Sequence, residues 1–182
     1  IAACRMVGVS FKEIKKNTES LKLPKKRFEF RGELNQRIIY DDYAHHPNEI
    51  KATIDLARLF IKDTNSSDRR ERGRLIAIFQ PHRFTRVKQF IHEFVKELSK
   101  ADVIYITNIF GAGEKNIDNI DSQLIANLIY KNNKNVICLK DNYEINEKFF
   151  KLTKKNDFII NMGAGDCHNL WSILKNKNTL NN

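Results

Sequence analysis

The chain has 182 residues, 41% of them hydrophobic, with only 7 Gly and 3 Pro, which suits one packed domain plus a short flanking piece and excludes disordered, collagen-like and low-complexity classes. The 32 Lys and Arg against 22 Asp and Glu leave a net charge of +10, a balance that concentrates phosphate-bearing ligands. There is no apolar run of about 18 residues and no signal-peptide order of charged, apolar and small regions, so a cytoplasmic protein outside the membrane is expected.

Ser10 with Glu13 matches a capping box, and a short helix is predicted from about residue 11 to Leu21, closed by Pro24. FEFRGELNQRIIYDD then reads as an antiparallel hairpin turning around Gly32 to Gln36. From there strand, loop and helix alternate. IIYDD leads to a helix from Pro47 with Ile50, Ile54, Ala57 and Ile61 on one face. RLIAIFQ leads to a helix carrying Val87, Phe90, Ile91, Phe94, Val95 and Leu98. ADVIYITN is followed by a glycine-bearing loop and a helix with Leu124, Ile125, Leu128 and Ile129. NVICLK precedes a helix around Ile145, Phe149 and Leu152, and DFIINM precedes a last helix through Leu170, Ile173 and Leu174.

This order implies a Rossmann-like α/β fold in three layers. A mostly parallel sheet of about six strands, with an antiparallel hairpin at the N-terminal edge, carries helices on both faces. Each strand-to-helix loop of such a sheet lies at its carboxyl edge, so residues 41–46, 81–86, 108–114 and 163–166 should line one rim.

The polar residues of the sequence concentrate in those loops. Asp41-Asp42-Tyr43-Ala44-His45-His46-Pro47 sets two carboxylates and two imidazoles just past a strand. A carboxylate there suits ribose hydroxyls, and a histidine can hold an anion or exchange a proton near neutral pH. The competing reading is plain turn chemistry, with aspartate capping the next helix. Arg83 and Arg86, in Gln80-Pro81-His82-Arg83-Phe84-Thr85-Arg86, can face one way and hold a carboxylate or phosphate by paired hydrogen bonds, unless neighbouring acids occupy them. A metal site from Asp42, His45, His46 and His82 lacks any H-x-x-x-H spacing, and anion binding accounts better for the arginines beside them.

Gly163-Ala164-Gly165-Asp166 lacks the rest of a dinucleotide fingerprint, and no G-x-x-x-x-G-K-[ST] loop occurs, so ATP phosphates would need another domain to hold them. Cys4, Cys138 and Cys167 are too widely spaced for a disulfide framework or a zinc knuckle. His92, His168, Trp171, Phe149 and Phe150 read as surface or packing residues. The densest basic run, Arg69 to Arg74, reads as a solvated loop.

At these motifs the chain resembles the C-terminal domain of the Mur ligases, the amide-forming enzymes of peptidoglycan synthesis. Lys26-Arg27-Phe28-Glu29 is similar to the family's entry to that domain. The segments 41–47, 79–86, 112–114 and 162–166 match its D-D-Y-[AG]-H-H-P, F-Q-P-H-R-[FY]-T-R, A-G-E and M-G-A-G-D. The resemblance implies a boundary, with residues 1–24 the tail of a central ATPase domain and 25–182 the C-terminal domain. It also implies a reaction in which ATP, with Mg2+ held mainly by the central domain, activates the carboxylate of UDP-N-acetylmuramate for attack by L-alanine. Arg27, Asp42 and Tyr43 would hold the adenosine end. His45, His82, Arg83 and Arg86 would surround the amino acid, with His45 catalytic and Arg86 on the carboxylate. The central and N-terminal domains would be partners within the same protein, and the piece alone would be inactive. The remaining readings are a free-standing nucleotide- or anion-binding module using the same rim, and a basic nucleic-acid binder supported by charge alone.

Overall fold

The computed structural model describes residues 1–18, 24–63 and 73–179. A short helix α1 (Ala2–Met6) precedes α2 (Phe11–Thr18). The Ser10 hydroxyl accepts the Glu13 N–H at 3.2 Å and the Glu13 carboxylate accepts the Ser10 N–H at 3.0 Å, the reciprocal cap the sequence predicts. Its expected end at Leu21 lies outside the described residues.

Strands β1 (Glu29–Leu34) and β2 (Arg37–Asp42) form the antiparallel hairpin. The turn is tighter than the span expected from Gly32 to Gln36. Asn35 and Gln36 alone make it, with φ of 47° and 63°, the positive pair that matches the twist of flanking strands. Gly32 instead sits inside β1, where the register shifts between Phe30 and Gly32 and φ reaches 146°. A Cβ at Gly32 would lie 2.7 Å from the Trp171 ring, so glycine is required there by a side chain far along the sequence.

The remaining elements alternate: α3 (Pro47–Asp63), β3 (Leu75–Phe79), α4 (Phe84–Leu98), β4 (Val103–Ile106), α5 (Ser122–Tyr130), β5 (Val136–Cys138), α6 (Asn142–Leu152), β6 (Phe158–Met162) and α7 (Asn169–Thr179). The strands order as β1-β2-β6-β3-β4-β5, with every pair but the first parallel. Strands β3, β4 and β6 are buried along their whole length, which explains why they are almost wholly apolar, Asn161 on β6 apart.

One face of the sheet is covered by α3, α4 and α5 through Ile50, Ile54, Val87, Phe94, Leu98, Ile125 and Ile129. The other is covered by α6 and α7 through Ile145, Phe149, Leu170 and Leu174, with Trp171 packed alongside. The helical stripes therefore bury as their spacing implies, with two exceptions. Leu124 is 43% exposed because it lies to one side of the buried row of Ser122, Ile125, Ala126 and Ile129 on α5. Phe150 is also exposed and lies beneath the Arg37 guanidinium at 5.1 Å. Of the basic run, residues 69–72 lie outside the described residues, while Arg74 is no solvated loop residue: it grips Asp157 through two hydrogen bonds of 2.9 and 2.7 Å, tying β3 to β6. Among the described residues no helix is long and apolar enough to cross a membrane.

Gly32→Ala is expected to cost about 2 kcal/mol, since it both strains the backbone and drives a methyl into the Trp171 ring. Urea unfolding followed by Trp171 fluorescence measures this, and an unchanged midpoint would remove the close approach as the reason for the glycine.

Candidate active site

The rim begins where β2 ends. Both oxygens of Asp42 are committed to backbone, one accepting the Phe28 N–H and the other the Ala44 N–H, each at 2.7 Å. The Tyr43 N–H donates to the Lys26 carbonyl at 2.7 Å. Together these bonds lash residues 26–28 to 42–44 and carry the Arg27 guanidinium over the Tyr43 ring at 5.6 Å. Burial pushes the Asp42 carboxyl above its ordinary range, against the pull of its N–H donors. Asp42 is thus first an organiser of the loop, and Arg27, Asp42 and Tyr43 do form one group.

His45 follows on the same loop. Its Nδ1 lies 2.8 Å from the Tyr43 carbonyl and 3.3 Å from Glu49, both acceptors, so Nδ1 bears the proton and a neutral ring leaves its lone pair on Nε2. Glu49 is a residue that motif reading passes over. Its carboxylate accepts the N–H groups of His45 and His46 at 3.0 and 3.1 Å, capping α3 from inside the first turn. Burial opposes its ionisation, but these donors with His45 and Arg27 prevail and hold it below the ordinary range. The signal for it was available, since Glu49 stands three places after His46 and just past Pro47, the spacing of a capping box. His46 itself turns away and packs edge-on against Phe90 at 4.7 Å.

The arginine segment arrives from β3. The His45 and His82 ring centroids are 5.5 Å apart, so the two loops meet as the fold requires. His82 stacks on Phe110 at 5.6 Å and 11°. Arg86 Nη1 lies 3.1 Å from His82 Nδ1, and because a guanidinium can only donate, that nitrogen is the acceptor and the ring is neutral. Burial, then His45, Arg86 and Arg83, hold the His82 pKa down. Arg83 takes φ of 70° ahead of α4, with a half-exposed side chain whose nearest acid, Glu114, is 3.8 Å away. Glu114 itself caps α4, accepting the Thr85 N–H at 3.1 Å and the Thr85 hydroxyl at 2.8 Å. Among the described residues Arg86 has no carboxylate partner, and Arg83 meets Glu114 only through one long contact. The pair remains able to receive an anion beside two imidazoles.

Behind this surface lies a buried polar layer that sequence reading missed. Asn161 on β6 donates from one amide to Asp41 and to the Cys167 carbonyl, both at 2.9 Å, and Arg31 lies 3.3 Å from the other Asp41 oxygen. Asp41 is 1% exposed, and burial raises its carboxyl from 3.8 to about 6. His168, expected as a packing residue on a helix, lies just before α7 with its ring parallel to Tyr43 at 6.1 Å and 7°. Burial and the nearby Lys26 lower its pKa to about 4. Asp42, His45, His46 and His82 do not converge on a common point, and among the described residues no three His, Cys, Asp or Glu side chains are placed to hold a metal ion.

The fold and rim together define an α/β domain whose strand-end edge carries two imidazoles beside two guanidinium groups. A family profile for the Mur ligase, glutamate ligase domain matches residues 26–165, and the chain belongs to that family. It is 97% identical over its whole length to a UDP-N-acetylmuramate--L-alanine ligase of Prochlorococcus marinus subsp. pastoris, of which it spans 38%. Its fold matches the UDP-N-acetylmuramate-alanine ligase of Thermotoga maritima at a TM-score of 0.74 and 20% identity, over 100% of this chain and 36% of that one. A single domain from a putative Haemophilus ducreyi ligase matches at a TM-score of 0.59 and 24% identity, over 83% of this chain and 98% of that one.

The Asp41 and His168 shifts act on stability in opposite senses. Between about pH 4 and 6 folded Asp41 keeps a proton that the unfolded chain has lost, so its contribution falls as pH rises, by about 3 kcal/mol at about 1.4 per pH unit. Below pH 6.5 folded His168 refuses a proton that the unfolded chain accepts, so stability falls as pH drops toward 4. Asp41→Asn is therefore expected to gain stability relative to the unmodified chain between pH 4.5 and 7.5. Urea melts at the two pH values measure the difference, and an equal offset at both would contradict a buried, costly Asp41 carboxylate.

Proposed function

We propose that this chain is the C-terminal domain of a longer ATP-dependent ligase that joins L-alanine to UDP-N-acetylmuramate, with residues 1–24 the end of the preceding domain and 25–182 the domain itself. The observation that carries the reading is the meeting of His45 and His82 beside Arg83 and Arg86, where Arg86 donates to His82 rather than to a carboxylate and Arg83 lies 3.8 Å from Glu114. The 97% identity to a protein of that name supports the same substrates.

In this reading Arg86, with Arg83, takes the amino-acid carboxylate, and Arg27, Tyr43 and the Asp42-fixed loop receive the adenosine end of ATP. The incoming amine is protonated near neutral pH and must lose a proton before it can attack. His45 Nε2 is the available base, because Glu49 and the Tyr43 carbonyl hold the proton on Nδ1. The amine nitrogen then bonds to the carbonyl carbon of the muramoyl phosphate, the tetrahedral adduct collapses, and inorganic phosphate leaves with the electrons of the broken C–O bond. Neutral His82 offers a hydrogen-bond donor at Nε2 within the same pocket. The described residues do not fit Mg2+, so the reading leaves that ion and the triphosphate to the other domains, and the setting to the cytoplasm.

Arg86→Ala in the full-length protein is expected to raise KM for L-alanine about a hundredfold while moving KM for ATP little, since a charged hydrogen bond to a bound carboxylate is worth about 2–3 kcal/mol. His45→Ala is expected to lower kcat about 100-fold or more. Steady-state kinetics with each substrate varied in turn separates these effects. Equal losses for both substrates in Arg86→Ala would contradict its assignment, and measurable ligation by the 182-residue chain alone would contradict the division of labour.

A further inference from the structure

Gln80 is 1% exposed, directly follows β3, and stands directly before Pro81 and His82. Its Oε1 accepts the Cys167 N–H at 3.1 Å and its Nε2 donates to Asp166 Oδ1 at 2.6 Å, an oxygen that also accepts from Asn142 at 3.1 Å. The turn over residues 163–168 is thereby held from β3 and α6. Gly163 donates to the Asp42 carbonyl at 3.1 Å, and Asn161 holds the Cys167 carbonyl, so β2 and β6 grip the same turn. The next residue along is His168, whose ring lies flat against the Tyr43 side of the rim.

We infer that Gln80 is a positioning residue that registers the nucleotide half of the rim to the amino-acid half, acting on the first through Asp166, Cys167 and His168 and on the second through Pro81 and His82. The inference rests on the ligase reading above. Packing leaves the turn no alternative seat. A Cβ on Gly165 would lie 2.4 Å from Gln80 Oε1 and 2.7 Å from Phe110, and one on Gly163 would lie 2.8 Å from Cys167 Sγ. The chemistry also selects an amide, because one end must accept from a backbone N–H while the other donates to a carboxylate. An ionised glutamate can do only the first.

The test is kinetic and spectroscopic. In the full-length protein Gln80→Glu sets a second carboxylate against Asp166 and is expected to raise KM for ATP and for L-alanine together, each about tenfold or more, as a small misplacement of both sites would. Gln80→Glu combined with Asp166→Asn restores a donor facing an acceptor and is expected to recover most of both losses. Gln80→Met keeps the volume, drops both hydrogen bonds, and is expected to raise both KM values without recovery when Asp166→Asn is added. NMR titration of His168 supplies a readout free of turnover: its pKa, about 4 in the unmodified chain, is expected to climb toward 6.5 in both Gln80 variants as the turn loosens. Variants that keep their thermal midpoint yet raise one KM alone, or neither, overturn the inference, as does an unmoved His168. Absence of ligation by the unmodified full-length protein would overturn the ligase reading instead, and the His168 titration would still judge the role of Gln80 in holding the turn.

Discussion

One rung of the sheet sets the site. Asp42, Met162, Phe79, Ile106 and Cys138 are register partners across β2, β6, β3, β4 and β5, so the five parallel strands end at the same level. Each following residue therefore emerges on the same edge: Tyr43, Gly163, Gln80, Thr107 and Leu139. Parallel pairing imposes this, since strands that share a direction must also share the edge at which they stop. His45 and His82 belong to different βα units, yet they meet because their strands end on one line two places apart in the sheet, with β6 between them.

The rung beneath sets a buried polar pair between otherwise apolar central strands. Asp41 and Asn161 are partners in the ladder, and Asn161 also faces Ile78 on β3. Burying a carboxylate there costs stability, and well-packed apolar side chains of similar volume would be at least as stable. What the arrangement supplies is direction. An amide bonded at once to Asp41 and to the Cys167 carbonyl admits one placement of the glycine-rich turn. Loops with few apolar contacts are held by this layer, which gives them the order their short sequences could not supply alone.

Much of this was readable from residues. The apolar stripes of α3 and α4, the capping box at Ser10 and Glu13, and the strand-loop-helix alternation each follow from local spacing, and the clustering of the rim follows from topology. What escaped was set by partners distant in sequence. Gly32 reads as a turn residue until Trp171 is seen above it. Gln80 and Asn161 are ordinary amides until strands that are not neighbours in sequence bring them to Asp166 and Asp41. Arg74 looked solvated because Asp157 is 83 residues away. Hydrogen bonds that span the whole chain leave no periodicity, so pattern reading finds the framework and misses its fastenings. The functional assignments came from motif likeness, while proton placement on His45 and His82 required the acceptors and donors around each ring.

The lashing of residues 26–28 to 42–44 has a mechanical meaning. Lys26 and Phe28 take φ of 60° and 44°, and the same short stretch bears Arg27 against Tyr43. The polypeptide thus enters β1 at the edge where β2 ends rather than at the far side of the sheet. Any pull on residues 24–26 is delivered first to the Asp42–Tyr43 turn, with a lever arm of only a few residues. A load so placed would bear on the rim directly, without a relay through the core.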